Sequence, residues 1–233
     1  MESRIILLTD KAFSEDVAAK LRPTGAVAAV DFAFSRAELE AAVAQDSKHT
    51  RLISFAGRVI VPDAVLAALP GPAYNFHPGP PNYRGLFPSV FALYDQATSF
   101  GVTCHEMTAE VDSGPIVAVE RFPIAADFDR ETLDGMTYAA MLSLVEKLAA
   151  PLREVAVPLP RCAETWSGPI RRRADFDALC RLPANATEAE FKRRLRAVGE
   201  GPRHALSVEL FGREFRLTPK RDGAAVMRGG KKI

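Results

Sequence analysis

Ala73-Tyr74-Asn75-Phe76-His77-Pro78-Gly79-Pro80-Pro81-Asn82-Tyr83-Arg84-Gly85 is the stretch on which the reading of this 233-residue chain turns. Its first five residues form a short aromatic-rich run of strand type, expected as Ala73–His77. Proline and glycine crowd the residues that follow, so an irregular loop is expected from Pro78 to Pro88. Along an extended chain, residues i and i+2 point to the same side. Asn75 and His77 therefore face one spot together, at the carboxyl end of a strand. Open α/β sheets usually bind their ligands there.

Upstream of this stretch, strand and helix signals alternate. Ile5–Thr9, Ala26–Phe32 and Leu52–Ala56 are compact apolar runs. Between them lie a helical spacing from Ser14 to Leu21 and a capping box, Ser35-Arg36-Ala37-Glu38, that opens a helix toward Ala44. Pro62 starts a short helix that runs to Leu69. This rhythm predicts an α/β fold: an open, mostly parallel twisted sheet with helices on both faces. Downstream, a helix is expected at Ser89–Gln96, two strands at Phe100–Met107 and Ile116–Ile124, and a long helix from Glu131 to Leu152.

Pro151, Pro158 and Pro160 read as a stiff linker, with a catalytic domain at 1–155 and a small domain at 156–233. In the small domain a second capping box, Thr187-Glu188-Ala189-Glu190, opens a helix through Val198. Ala205–Phe211 and Arg213–Leu217 flank Gly212 as a hairpin. The last dozen residues, rich in Gly and Lys, are expected to be frayed.

Composition is that of an ordinary globular protein, with 48% apolar and 25% charged residues. No apolar run reaches the roughly 18–20 residues of a membrane helix. The N-terminal apolar stretch is too short for a signal peptide and reads as the first buried strand. Cys104, Cys162 and Cys180 are far apart and odd in number, against both a disulfide framework and a cysteine-built metal site. A reducing, cytoplasmic home follows as an expectation. Net charge is +1, but residues 151–233 carry 18 Lys+Arg against 10 Asp+Glu, and residues 1–150 carry 12 against 19. A basic second half suits a partner with phosphates, or is a solvated surface.

Two further segments carry chemistry: Gly101-Val102-Thr103-Cys104-His105, and Glu110-Val111-Asp112-Ser113-Gly114-Pro115-Ile116. If the second folds back over the sheet edge, Asp112 reaches His77. An amide, an imidazole and a carboxylate suit an amine attacking a carbonyl. Two N–H donors meet the oxyanion, and the carboxylate orients the imidazole, favours its charged form and takes the amine's proton.

The combined pattern, N-x-H-P with Y-R-G, then G-V-T-x-H, then V-D-x-G-P-I, resembles the formyltransferases that use 10-formyltetrahydrofolate. The resemblance is densest from Phe55 to Ile124. Arg196-Ala197-Val198, Pro202, Ala205 and Leu210-Phe211-Gly212 resemble the small C-terminal domain of the tRNA and sugar branches.

The resemblance implies a Rossmann-like formyltransferase fold with a small C-terminal α+β or barrel-like domain. It implies Asn75, His77 and Asp112 as the catalytic trio, no metal, and the folate as co-substrate. It gives the pterin a loop, Phe55, Arg58, Val59, Ile60 and Val61, faced by Glu110 and Val111. Val59–Val61 could instead be core of a strand-to-helix connection. Tyr83, Arg84 and His105 would shape the loop or contact substrate. Arg84 could instead be a surface charge, and His105 a plain strand residue.

The expected reaction is N-formylation of a small amine, possibly an amino sugar on a nucleotide. Methionyl-tRNA formylation and hydrolysis of 10-formyltetrahydrofolate to formate are the alternatives. A non-catalytic α/β binding module is a reading from another class. A nicotinamide enzyme is disfavoured, because no G-x-G-x-x-G follows the first strand. Departures narrow the substrate. Gly79 stands where the family often has Ser, and Pro80-Pro81 where Leu-Leu or Leu-Pro is usual. Thr9-Asp10-Lys11 replaces a Gly-Ser-rich phosphate loop, and Phe34–His49 lacks a basic insertion. Apolar surface on the tail would point to a homodimer.

Overall fold

The computed structural model describes residues 3–22, 29–199 and 206–217. In chain order the elements are β1 (Arg4–Leu8), α1 (Ser14–Leu21), β2 (Ala29–Ala33), α2 (Arg36–Gln45), β3 (Thr50–Phe55), α3 (Asp63–Ala68) and β4 (Tyr74–His77). Then come β5 (Arg84–Gly85), α4 (Pro88–Tyr94), β6 (Ser99–Glu106), β7 (Ile116–Pro123) and α5 (Arg130–Leu152). The chain continues through β8 (Ile170–Arg171), α6 (Arg173–Cys180), β9 (Arg181–Leu182), α7 (Glu188–Val198), β10 (Ser207–Leu210) and β11 (Arg213–Arg216). Part of the expected strand at Ala26–Phe32 and the expected frayed end lie outside the described residues.

Six strands form the main sheet, in the order β2-β1-β3-β4-β6-β7. The first three pairings are parallel, and β4–β6 and β6–β7 are antiparallel. Strand period 2 divides its side chains between two cores. Ile5, Leu7, Ile53, Phe55, Tyr74, Phe76, Val102 and Cys104 pack with Val17, Ala18 and Leu21 of α1 and Ala140, Met141, Leu144 and Val145 of α5. Ile6, Leu8 and Leu52 point the other way, onto Leu39 and Val43 of α2 and Val65 of α3. Helices on both faces cover the parallel part of the sheet, where β1 and the centre of β3 bury apolar side chains on both sides.

Only the N-cap half of each expected capping box forms; the Glu38 carboxylate accepts from Phe34 N–H instead, and that of Glu190 pairs with Arg193 and Arg194. The hydroxyl of Ser35 accepts from Glu38 N–H, and that of Thr187 from Glu190 N–H. The hairpin β10–β11 turns at Phe211-Gly212, both at positive φ (52° and 72°), the geometry a two-residue turn prefers.

Two expectations are corrected. Pro151 does not open a linker; it lies in the last turn of α5. The Pro78–Pro88 loop is not wholly irregular either. Arg84 and Gly85 pair in parallel with Ile170 and Arg171, so the chain after α5 returns to this loop. Buried Arg51 helps to hold that return. Its guanidinium donates to the carbonyls of Pro72, Glu154 and Val157. Beyond it, Phe176, Leu179, Ala197, Val198 and Leu206 share a cluster with Val90, Phe91 and Leu93 of α4 and Leu133 of α5.

Candidate active site

Strands β4 and β6 run antiparallel with Asn75 opposite His105 and His77 opposite Thr103. Phe76 and Cys104, paired between them, point into the α1–α5 core. The opposite face of this strand pair thus carries four polar side chains as neighbours. Three segments cover it: the loop through Gly79–Gly85, the loop through Asp112–Gly114, and the stretch holding Trp166.

Cross-strand pairing puts Asn75 Nδ2 3.1 Å from His105 Nε2. His105 Nδ1 donates to the Glu106 carbonyl at 2.8 Å, which fixes a proton on that nitrogen. His77 Nε2 donates to the Tyr83 carbonyl at 2.8 Å. Asp112 stands between the two imidazoles, with Oδ2 3.4 Å from His77 Nδ1 and Oδ1 3.5 Å from His105 Nε2. Gly85 N–H donates to Asp112 Oδ2 at 2.7 Å, and Arg84 Nε to the Asp112 carbonyl at 2.8 Å. His77, His105 and Asp112 are buried, whereas Asn75 is partly exposed.

Electrostatics follow from that burial. Desolvation would raise the Asp112 carboxyl. The hydrogen bond to His105, the charge of His77 and the Gly85 N–H outweigh it and hold the carboxyl at about 2. His77 behaves against expectation. Burial pushes its pKa below the ordinary 6.5, and Asp112 offsets only part of the shift. The carboxylate does not keep this imidazole charged at neutral pH; desolvation is the larger effect.

Close packing explains the glycines of the motifs. A Cβ on Gly79 would lie 2.7 Å from His77 Nε2 and 2.8 Å from the Tyr83 carbonyl oxygen, so the loop can reach His77 only because position 79 is bare. A Cβ on Gly114 would lie 1.9 Å from the Glu106 carbonyl oxygen, so the Asp112 loop packs directly on β6. Asp112 itself adopts φ +47°, a left-handed conformation that costs energy for a non-glycine residue. Thr103 ties the Gly79 loop down by donating to the Gly79 carbonyl at 2.8 Å.

The residues assigned to a pterin divide. Phe55 is fully buried among Phe13, Phe76 and Tyr138 and offers no surface to a ligand. Val61 is also core, packed beside Leu8 and Val65. Arg58, Val59 and Ile60 lie on an irregular loop, with Ile60 65% exposed. Among the described residues the backbone groups of Arg58–Val61 make no hydrogen bond. Val111 is 44% exposed, and the carbonyl of exposed Glu110 accepts from Thr108 and Ser113. A cavity of about 270 Å³ opens beside this loop, lined by Thr9, Lys11, Phe34, Gly57, Arg58 and Val59 among others. Tyr83 packs its ring on Phe100 while its carbonyl meets His77. Arg84 is no plain surface charge, since it holds the Asp112 backbone.

Sequence reasoning passed over Trp166. Its indole lies edge to face with both imidazoles, centroids 4.9 Å from His105 and 5.8 Å from His77, and its Nε1 donates to the Gly114 carbonyl at 2.7 Å. The available signal was that it is the chain's one tryptophan, just past the supposed linker.

Comparison with known proteins agrees with this fold. The formyl transferase family model matches residues 9–141. The chain belongs to that family. Over 146 residues it is 32% identical to the dTDP-4-amino-4,6-dideoxyglucose formyltransferases of Mycobacterium bovis and Mycobacterium tuberculosis, covering 60% of this chain and 60% of theirs. The chain thus aligns with under two thirds of those relatives. A crystal structure from Mycobacterium tuberculosis, assigned to sugar N-formyl transfer, superposes with TM-score 0.71 at 26% identity, over 94% of this chain and 97% of that one. A sugar N-formyltransferase from Shewanella shares the fold with TM-score 0.72 at 19% identity, over 93% and 97%.

Proposed function

We propose that this chain transfers the formyl group of 10-formyltetrahydrofolate to a primary amine, that of an amino sugar carried on a nucleotide. The observation that carries the reading is the contact chain Asn75–His105–Asp112–His77 on one face of β4 and β6. Its partly exposed end is Asn75, so the reacting carbon is placed there. The sugar N-formyltransferases among its relatives favour the amino-sugar acceptor. A Helicobacter canadensis N-formyltransferase of similar fold was solved with folinic acid and dTDP-3-aminofucose, which fits both the folate and the nucleotide sugar.

The folate supplies the formyl group; the chain binds, orients and handles the protons. Unpaired backbone groups of Arg58–Val61 and the exposed apolar side chains of Ile60 and Val111 fit a flat heteroaromatic ring with polar edges. The Asn75 amide is one donor to the developing oxyanion. His77 Nε2–H, held on the Tyr83 carbonyl in the resting chain, is the second once that bond is exchanged for the formyl oxygen. Asp112 is ionised at any physiological pH, so it can stabilise charge on the attacking nitrogen and accept its proton. No metal takes part in this scheme. Residues 1–155 are read as carrying the chemistry, and the stretch from Leu159 to Arg171 as covering it.

A methionyl-tRNA acceptor has less support, because five of the six cations in the basic runs 171–173 and 192–194 are engaged. Arg171 stacks on Phe91, Arg173 pairs with Asp177, Lys192 with Glu188, and Arg193 and Arg194 with Glu190. A cytoplasmic home suits the three unpaired cysteines, and exposed Phe211 and Phe215 on the β10–β11 hairpin suit a homodimer. Incubation with 10-formyltetrahydrofolate and a panel of nucleotide-linked amino sugars, amino acids and methionyl-tRNA tests the proposal. Tetrahydrofolate should form only with the amino sugars. Equal turnover without any acceptor would mean a hydrolase instead.

A further inference from the structure

The stretch between α5 and α6 is fastened across the catalytic face on both sides of Trp166. Before it, Leu159 N–H donates to the Tyr74 hydroxyl at 2.7 Å, Cys162 N–H to the Ile116 carbonyl at 2.9 Å, and Arg161 clasps Glu106 through two bonds of 2.9 and 2.8 Å. After it, Ser167 N–H donates to the Pro81 carbonyl at 3.0 Å and β8 pairs with β5. Gly168 makes that turn at φ +68°, where a Cβ would lie 2.6 Å from the Asn82 carbonyl oxygen. Such double anchoring leaves the indole little freedom. Its ring meets both imidazoles, its one polar group is used on Gly114, and the Arg84 guanidinium lies 5.7 Å from its centroid.

The indole thus covers both imidazoles with carbon while its own N–H is satisfied. Water is the standing competitor of the amine. When an amine adds to the formyl carbon, the bond from that carbon to N10 breaks, N10 takes up a proton and the amide remains. When water adds, the same bond breaks, N10 takes up a proton and formate leaves. Both routes use one set of donors, so the trio alone cannot choose between them. Excluding water from the imidazoles can.

We infer that Trp166 is a positioning residue that keeps water off the His77–His105 pair, and so directs the formyl group to the amine rather than to water. This rests on the formyl-transfer reading above. Trp166→Ala leaves a space lined by imidazoles, the Gly114 carbonyl and Arg84, polar enough to hold water. Trp166→Phe keeps a smaller aromatic plate and loses the Nε1–H.

The test uses the full chain with 10-formyltetrahydrofolate, with and without the amine, measuring formate and tetrahydrofolate separately. Trp166→Ala should release formate without acceptor about tenfold faster than the parent, with less than one amide per tetrahydrofolate. Trp166→Phe should restore near-complete coupling. A second readout needs no turnover. Trp166 is the one tryptophan, so the chain's indole emission should change with pH as the adjacent His77 titrates. That change should have its midpoint below 6.5 and vanish in His77→Ala.

Tight coupling in Trp166→Ala, or emission indifferent to both pH and His77→Ala, would overturn the inference while leaving formyl transfer standing. A parent chain that makes no tetrahydrofolate with any amine would remove both. If Trp166→Ala does not fold, the coupling of Trp166→Phe and the emission titration decide.

Discussion

Strands β4 and β6 present two faces built on one hydrogen-bond ladder, and the two obey different rules. On one face Phe76, Cys104 and Val102 sit at 0–1% exposure among other apolar side chains. On the other His77, His105 and Thr103 are hidden nearly as well, at 0–3%, but every one of them has a polar partner. Burial alone does not separate core from site here. What separates them is whether the desolvated atoms need hydrogen bonds, and which loops supply them. The apolar face should therefore answer to stability measurements. Phe76→Ala removes a ring packed against Phe55 (centroids 6.4 Å apart) and should cost about 3–5 kcal/mol in denaturant unfolding. A loss under 1 kcal/mol would deny that this face is close-packed.

The polar face should answer to turnover. Asp112→Ala removes the group that both imidazoles and the Gly85 N–H converge on, and His77→Ala removes a proposed oxyanion donor. Each should lower kcat/KM by roughly 10²–10³-fold, with a cooperative unfolding transition retained. Normal turnover in either variant would break the contrast between the faces. Loss of folding in both would show that the network is structural.

Much of this contrast was legible in the sequence, and the illegible part has a common cause. Period 2 along Asn75-Phe76-His77 is enough to place amide and imidazole together, because strand geometry is local. The His105–Asn75 contact needs the antiparallel register of β6 on β4. The Asp112 contact needs a loop folded back at left-handed φ, and neither follows from spacing within one segment. Phe55 was misplaced because an aromatic at the end of a strand looks the same whether it faces a ligand or the α1–α5 core. Trp166 and the β5–β8 pairing escaped because they join residues far apart in the chain, through a stretch whose prolines suggested only a linker. The left-out charge of His77 has the same origin. Residue type predicts attraction to a carboxylate, but only the folded chain reveals how completely the ring is desolvated.

Acid should expose the polar face and spare the apolar one. Asp112 sits at about 2 in the folded chain against an ordinary 3.8, so on acidification the unfolded chain takes up its proton first. The stabilisation is complete above 3.8 and is lost as pH falls to about 2, a loss of about 2 kcal/mol at roughly 1.4 kcal/mol per unit. His77 has the same sign, since its folded pKa is depressed: its share is present above 6.5 and erodes as pH falls below that. Thermal melts from pH 7.5 down to 3 should decline in two stages. Asp112→Asn should flatten the lower stage, and His77→Gln the upper. A parent profile that is flat from pH 7.5 to 5 would mean that His77 is not desolvated as described.

Thr103 tests where the boundary between the two rules falls. It lies on the polar face, fully buried, opposite His77, but touches neither Asp112 nor His105 through a hydrogen bond; its hydroxyl donates to the Gly79 carbonyl. Thr103→Val keeps the shape and deletes that donor, leaving a buried carbonyl without it. The expected cost is about 1 kcal/mol of stability, with kcat/KM within a few-fold of the parent. A drop in turnover approaching that of Asp112→Ala, at unchanged stability, would mean that the Gly79 loop must be held against His77 for chemistry. The functional face would then extend through Thr103 and the bare Cα of Gly79, rather than ending at Asn75, His105, Asp112 and His77.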